Sequence, residues 1–174
     1  MSTRSCIILK VRKEDIGKLK LKFDVSKLPV PLGKWEYKDG DGKVWRDESG
    51  KNLCRPVPIN NQYIGIYCHW DGYPSGVGAA LKNHFKDYDS VLNLILGGSC
   101  SAIDDSVKHY ANRVGEQWRY LAPKQGSSQK DLVSHFSNAW AEYAYLYDES
   151  HGWRYKGILG DPEKISKNGF KPMK

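Results

Sequence analysis

Residues 62–70, QYIGIYCHW, carry the clearest strand pattern in the 174-residue chain. Side chains of a strand point alternately to the two faces of a sheet. This segment therefore predicts one face formed by Ile64, Ile66, Cys68 and Trp70, and an opposite face formed by Tyr63, Gly65, Tyr67 and His69. The next residues, 71–74 (DGYP), predict a turn, and the hydroxyl of Ser75 is expected to cap a helix that runs to about Phe85.

Further strands are expected on both sides of this segment. Residues 6–11 are apolar and rich in β-branched side chains, and residues 18–25 alternate strictly between charged and apolar ones. Residues 53–61 contain two prolines and predict a connecting loop, and residues 118–121 predict a short strand. Two aromatic hairpins are expected, one joining residues 35–37 to 44–45 through DGDG, the other joining residues 140–147 to 153–155 through a five-residue loop.

Helical spacing of apolar residues predicts the remaining elements. Residues 88–96 end at a glycine pair, residues 128–136 begin at a serine suited to an N-cap, and residues 101–113 show a weaker pattern. We therefore expect an α+β fold, a single domain over residues 1–174 in which two to four helices pack on a mainly antiparallel sheet. Within it, residues 1–60 are basic and β-rich, residues 62–157 form an α+β core, and residues 160–174 form a loosely held basic tail.

The net charge of +7 is concentrated at the two ends of the chain. Residues 1–60 carry 14 Lys and Arg against 8 acidic residues, and residues 151–174 carry 6 against 2. The central residues 61–150 carry 7 against 10. Positive surface attracts polyanions, so a nucleic-acid partner is possible, and a solvated, solubilising surface is the alternative. The candidate basic surface comprises Lys18, Lys20, Lys22, Arg154 and Lys156.

Cysteine spacing and hydropathy restrict the setting in which the protein works. The four cysteines are scattered, which indicates reduced thiols. The apolar run near the N-terminus is shorter than a signal or membrane-spanning segment, so we expect a cytoplasmic protein that does not enter a membrane. Adjacent Cys68 and His69, with His84 and Cys100 elsewhere, lack the paired short spacings of a zinc site. We expect no metal and no cofactor.

The segment from residue 67 to residue 78, YCHWDGYPSGVG, is the candidate binding site. The unpaired N–H groups of a helix start attract anions, small residues let a ligand approach, and aromatic rings stack on bases. The alternative is that the same aromatic residues lie in the core and the glycines serve packing. The segment lacks the Walker and dinucleotide-binding patterns. Its candidate binding residues are His69, Trp70, Asp71, Tyr73, Ser75, Gly76 and Gly78.

No catalytic signature is recognisable, so we expect a binding protein more than an enzyme. A nucleophile such as Cys68 or Ser75 with a histidine (His69, His84 or His109) and Asp71 is conceivable, but no nucleophile-elbow pattern surrounds it. The aromatic residues of the last hairpin fit either a core or a stacking platform for single-stranded nucleic acid, and the core is favoured.

The motif Tyr67-Cys-His-Trp-Asp-Gly-Tyr-Pro74 resembles a family of small, uncharacterised phage and prophage proteins. The resemblance extends over about residues 62–157, and the family has no established activity or catalytic residues. It implies a phage-encoded accessory binding protein in the bacterial host cell. We expect it to inhibit a host defence protein, in the manner of an anti-CRISPR protein, by occupying a protein or nucleic-acid surface. The alternative is a nucleotide-binding sponge, or an enzyme acting on phosphodiesters, with the 67–78 turn as its pocket.

Overall fold

The computed structural model describes residues 3–21, 37–38, 44–45, 56–96, 99, 102–103, 123–160 and 169–173. The helices are α1 (Ala79–His84), α2 (Tyr88–Leu96) and α3 (Gln129–Asn138), and a π-helical turn, Pro74–Gly78, leads directly into α1. A 3₁₀ turn spans Lys13–Asp15. The strands are β1 (Ser5–Lys10), β2 (Leu19–Leu21), β3 (Tyr37–Lys38), β4 (Val44–Trp45), β5 (Pro56–Pro58), β6 (Tyr63–Cys68), β7 (Lys124–Gly126), β8 (Tyr143–Asp148), β9 (Gly152–Gly157) and β10 (Lys171–Pro172).

A six-stranded sheet with the order β10-β9-β8-β1-β6-β7 organises the described residues. The strand β1 lies inside the sheet, where it pairs antiparallel with β6 and parallel with β8. The other strand pairs of this sheet are antiparallel. The predicted α+β class with a mainly antiparallel sheet is thus confirmed, with three helices in the part of the chain that the structure describes.

The two faces of the sheet carry separate apolar clusters, as the alternation in residues 62–70 predicted. Ile64, Ile66 and Cys68 pack with α1 and α2 in the larger cluster. Tyr63 and Tyr67 pack on the opposite side, against the smaller cluster that includes Leu132 and Phe136 of α3. The sheet is therefore a middle layer, with α1 and α2 on one side and α3 on the other.

Three predicted elements agree closely with the structure because their own residues carry the signal. The helix α2 spans Tyr88–Leu96 and buries its apolar positions. The helix α3 begins after Ser128, whose side chain accepts a hydrogen bond from the backbone N–H of Asp131. The last hairpin is β8–β9, although its paired ends, Asp148 and Gly152, leave a loop of three residues where five were predicted.

Other predictions were wrong in detail. Ser75 is not the N-cap: the helical segment begins at Pro74, Tyr73 is the capping position, and no side chain caps it. Part of the predicted loop 53–61 is a strand, because β5 pairs with β2. The tail is not uniformly loose, because β10 pairs with β9. Trp140 precedes β8, with a left-handed φ of 68° and 67% exposure.

Some predictions fall partly or wholly outside the described residues. The strand predicted over residues 18–25 is present as β2 in its first half, and residues 22–25 lie outside the described residues. The hairpin predicted over residues 35–45 is present as the pair β3–β4. The strand predicted over residues 118–121, most of the helix predicted over 101–113, and the glycine pair at 97–98 lie outside.

Candidate functional site

The 67–78 segment forms a tight corner between β6 and α1. Asp71 adopts a left-handed φ of 55°, and its carboxylate accepts a hydrogen bond from the Tyr73 hydroxyl at 3.2 Å. That neighbouring negative charge raises the pKa of Tyr73. Tyr73 is 39% exposed, which rules out the alternative that it is a core aromatic residue. Asp71 and Ser75 are also exposed, so this corner presents polar side chains to solvent.

Packing accounts for the glycines of this corner. A Cβ on Gly72 would lie 2.7 Å from the carbonyl carbon of Arg4 and 2.8 Å from Cβ of Ser5, so only glycine lets the corner rest on the start of β1. A Cβ on Gly76 would lie 2.3 Å from the carbonyl oxygen of Asp71. The Gly72 carbonyl accepts a hydrogen bond of 2.7 Å from the buried hydroxyl of Tyr145.

Backbone N–H groups at the start of the helical segment are already bonded at Gly76 and Val77. The N–H of Gly76 donates to the carbonyl of Tyr73 at 2.9 Å, and the N–H of Val77 donates to the carbonyl of Asp71 at 2.8 Å. A phosphate cradle needs unpaired N–H groups that point outward. The N–H groups of Gly76 and Val77 are therefore not available to an anion, which removes two of the donors that the predicted anion site at Gly76 and Gly78 required.

His69 lies in a buried aromatic group. Its Nδ1 is 2.8 Å from the Tyr67 hydroxyl, its ring meets that of Trp70 edge-on at 4.8 Å between centroids, and 6% of the residue is exposed. Burial raises the pKa of Tyr67 to about 12. This phenol stays protonated at neutral pH, where its oxygen is hydrogen-bonded to the imidazole of His69.

Cys68 and His69, two of the reactive residues singled out in the sequence, lie on opposite sides of the sheet, and His109 lies outside the described residues. Cys68 is fully buried in the larger core cluster, whereas Tyr67 and the His69 that bonds to it belong to the opposite side of the sheet. Cys6 is free and buried on that opposite side, and burial raises the pKa of its thiol strongly. Thiolate is the reactive form of cysteine, so burial disfavours the nucleophilic form of Cys6.

A cavity of about 800 Å³ lies beside the corner, and we call it the α1–β10 groove. One wall comes from the helical segment, where Pro74, Gly78, Ala79, Lys82 and Asn83 share one face. This set follows from helical periodicity, since residues three to four positions apart lie on the same side. The other wall is Lys171, Pro172 and Met173, and Tyr155 of β9 completes the lining.

The groove combines positive charge with an aromatic surface. Lys82 and Lys171 are exposed, and neither is within ion-pair distance of an acidic group in the described part of the chain. No acidic side chain is found among the described residues of the lining. The Tyr155 ring stacks on that of Tyr145 at 6.5 Å and an angle of 26°. The groove is therefore suited to an anionic ligand with an apolar or aromatic part.

Sequence reasoning placed one groove residue, Gly78, in the candidate site and missed Lys82 and Lys171. The signal for Lys82 was its position one helical turn after Gly78. Lys171 carried no comparable signal, because it lies in the tail and reaches the groove only through the pairing of β10 with β9. The remaining candidate residues of the 67–78 segment lie outside the lining.

Two of the basic-surface candidates, Arg154 and Lys156, lie on the same face of β9. Lys18 is exposed, Lys20 belongs to β2, and Lys22 lies outside the described residues. Arg154 is half-buried and donates to the carboxylate of Asp148 at 2.8 Å. Register pairs Lys156 with Ala144, on the sheet face opposite the groove.

Among the described residues, no group of three or more His, Cys, Asp or Glu side chains is arranged to hold a metal ion, and no helix there has the length and apolarity needed to cross a membrane. No protein-family model, no curated protein and no solved structure matches the chain.

Proposed function

We propose that this protein is a binding protein that captures an anionic partner in the α1–β10 groove. The observation that carries the proposal is the presence of Lys82 and Lys171 on the two walls of one cavity, without an acidic neighbour among the described residues. Two ammonium groups without counter-charges create a local positive potential, which raises both the affinity and the encounter rate for anions.

The arrangement of reactive groups supports binding over catalysis. Cys68 is buried on the side of the sheet opposite Tyr67 and His69, the Nδ1 of His69 is hydrogen-bonded to the Tyr67 hydroxyl, and Ser75 is exposed. Catalysis by a nucleophile requires a base within hydrogen-bond reach. The groove instead offers charge, an aromatic ring and a cavity whose volume falls within the roughly 300–1,000 Å³ typical of ligand sites.

The biological role that we propose follows from the resemblance of residues 67–74 to phage and prophage proteins. In that role the protein works in the bacterial cytoplasm, where it blocks a defence component of the host. It does so by occupying an acidic protein surface or a nucleic-acid surface, or by sequestering a nucleotide signal. The groove serves each version, because each partner is anionic.

Charge reversal tests the proposal. The double variant Lys82→Glu/Lys171→Glu removes the positive walls, and Lys124→Glu/Lys130→Glu makes the same charge change at exposed positions on β7 and α3. We expect the native protein and the control variant to rescue phage plating on a host with CRISPR or nucleotide-signalling defences, and the groove variant to fail. Equal rescue by both variants, or none by the native protein across such a panel of hosts, would contradict the proposal.

A further inference from the structure

We infer that the ligand of the α1–β10 groove is a nucleotide, with its base stacked on Tyr155 and its phosphate held between Lys82 and Lys171. This inference rests on the proposed function and names the chemical class of the anion. Its basis is the combination of an aromatic ring and two cationic side chains in one lining. Each feature matches one part of a nucleoside phosphate.

The aromatic part of the groove is held in a fixed position. Tyr155 stacks on Tyr145, which is fully buried and whose hydroxyl donates to the Gly72 carbonyl at 2.7 Å. A ring that is already supported from below loses little freedom when a ligand stacks on it, and preorganisation of this kind raises affinity. Base stacking on an aromatic side chain contributes about 1–3 kcal/mol.

The cationic part comes from two elements that are distant in sequence. Lys82 lies on α1, whereas Lys171 lies on β10, whose pairing with β9 places it next to Tyr155 in register. The register Lys171↔Tyr155 therefore puts one ammonium-bearing residue directly beside the stacking ring. A nucleotide likewise carries its charged phosphate close to its aromatic base, since a single sugar joins the two.

The cavity of about 800 Å³ has room for the sugar. Gly78 is a packing position in its wall, because a Cβ there would lie 3.1 Å from the Tyr145 ring and 3.5 Å from Cε of Met173. Met173 is a flexible side chain that adapts to an irregular ligand. An inorganic anion would use the lysines alone and would leave Tyr155 and this apolar part of the groove without a contact.

The inference is tested by calorimetric titration of the whole protein with four probes: adenosine 5′-monophosphate, adenosine, inorganic phosphate and pyrophosphate. We expect the nucleotide to bind more tightly than adenosine or either inorganic anion. Tyr155→Leu should weaken nucleotide binding by about 5- to 150-fold, which is the stacking contribution expressed as an affinity ratio. Tyr155→Phe should preserve binding, which shows that the fold is intact and the ring is the relevant feature.

Tyr73→Leu is the matched control, because Tyr73 is an exposed tyrosine of the 67–78 corner that lies outside the groove lining. If Tyr73→Leu weakens binding and Tyr155→Leu does not, the corner is the pocket and the inference is overturned. It is also overturned if pyrophosphate binds as tightly as the nucleotide and Tyr155→Leu changes neither affinity, a result that leaves the proposed anion-binding function intact. Failure of the proposed function is separate: charge reversal at Lys82 and Lys171 would then leave phage rescue unchanged.

Discussion

Gly72 gives the strongest test of the role assigned to the glycines of the corner. In Gly72→Ala the new methyl group would lie 2.7 Å from the carbonyl carbon of Arg4, 2.8 Å from Cβ of Ser5 and 2.9 Å from the backbone nitrogen of Ser5. Ser5 is the first residue of the inner strand β1, and Arg4 directly precedes it. None of the three atoms is the end of a flexible side chain that could move away. The corner must therefore move, which also strains the hydrogen bonds from the Gly72 N–H to Thr3 and from Tyr145 to the Gly72 carbonyl.

The expected cost is about 3 kcal/mol, at the upper end of the range for overpacked sites. For a chain of this size this corresponds to a fall in Tm of roughly 6–12 °C. Urea denaturation followed by circular dichroism measures the change, and Gly169→Ala is the control, since nothing lies within 4 Å of a Cβ at that position. The control should stay within about 0.5 kcal/mol of the native protein. If Gly72→Ala is equally stable but loses ligand binding, the glycine serves ligand approach and the packing explanation is refuted.

Three further substitutions test the fold around the site. Tyr145→Phe leaves the Gly72 carbonyl without its donor and should cost about 1–3 kcal/mol in urea denaturation. Tyr155→Phe should change stability little, because its hydroxyl makes no hydrogen bond to the described residues. Ser128→Ala removes the N-cap of α3 and should cost about 1 kcal/mol, and Ser134→Ala, in the same helix, should not. Burial alone would raise the pKa of Asp148, but hydrogen bonds from His151 and the charges of His151 and Arg154 hold it below 3.8. This carboxylate therefore stabilises the fold above its ordinary pKa, and the contribution is lost as the pH falls through the lower folded-state pKa. Asp148→Asn should be less stable than the native protein at pH 6, and the difference should shrink towards pH 3; a constant difference would contradict the assignment.

The elements that could be predicted are those whose signal lies within their own residues. The alternation of β6 separated two faces correctly because each face of the sheet meets a different layer of helices. Apolar periodicity located α2, and Ser128 marked the start of α3. In each case local pattern and tertiary packing favour the same structure.

Features that depend on distant pairing were not predictable. The apolar run of residues 6–11 indicates a strand, but nothing in it specifies a place between β6 and β8 or the parallel pairing of Ser5 with Tyr143. β10 is a two-residue strand of Lys and Pro, without periodicity. The groove depends on this distant pairing, because β10 supplies Lys171 and its register with β9 places Tyr155 beside it.

Ser75 shows why a good capping residue does not always cap a helix. Pro74 is favoured at the first position of a helix because it lacks the N–H that would be unpaired there. The helical segment therefore begins one residue before Ser75, at Pro74, and the serine becomes an exposed residue of the first turn. The first and last residues of this π-helical turn, Pro74 and Gly78, both line the groove.

The location of the ligand is the central claim, and nuclear magnetic resonance of the isotopically labelled protein tests it most directly. Titration with adenosine 5′-monophosphate should shift the amide signals of residues 78–83, Tyr155, Lys171 and Met173, and should slow hydrogen exchange at Met173, whose N–H donates to the Trp153 carbonyl at 3.2 Å. Shifts confined to residues 67–73 or to the Arg154 and Lys156 side of the sheet, with the groove unchanged, would contradict the account.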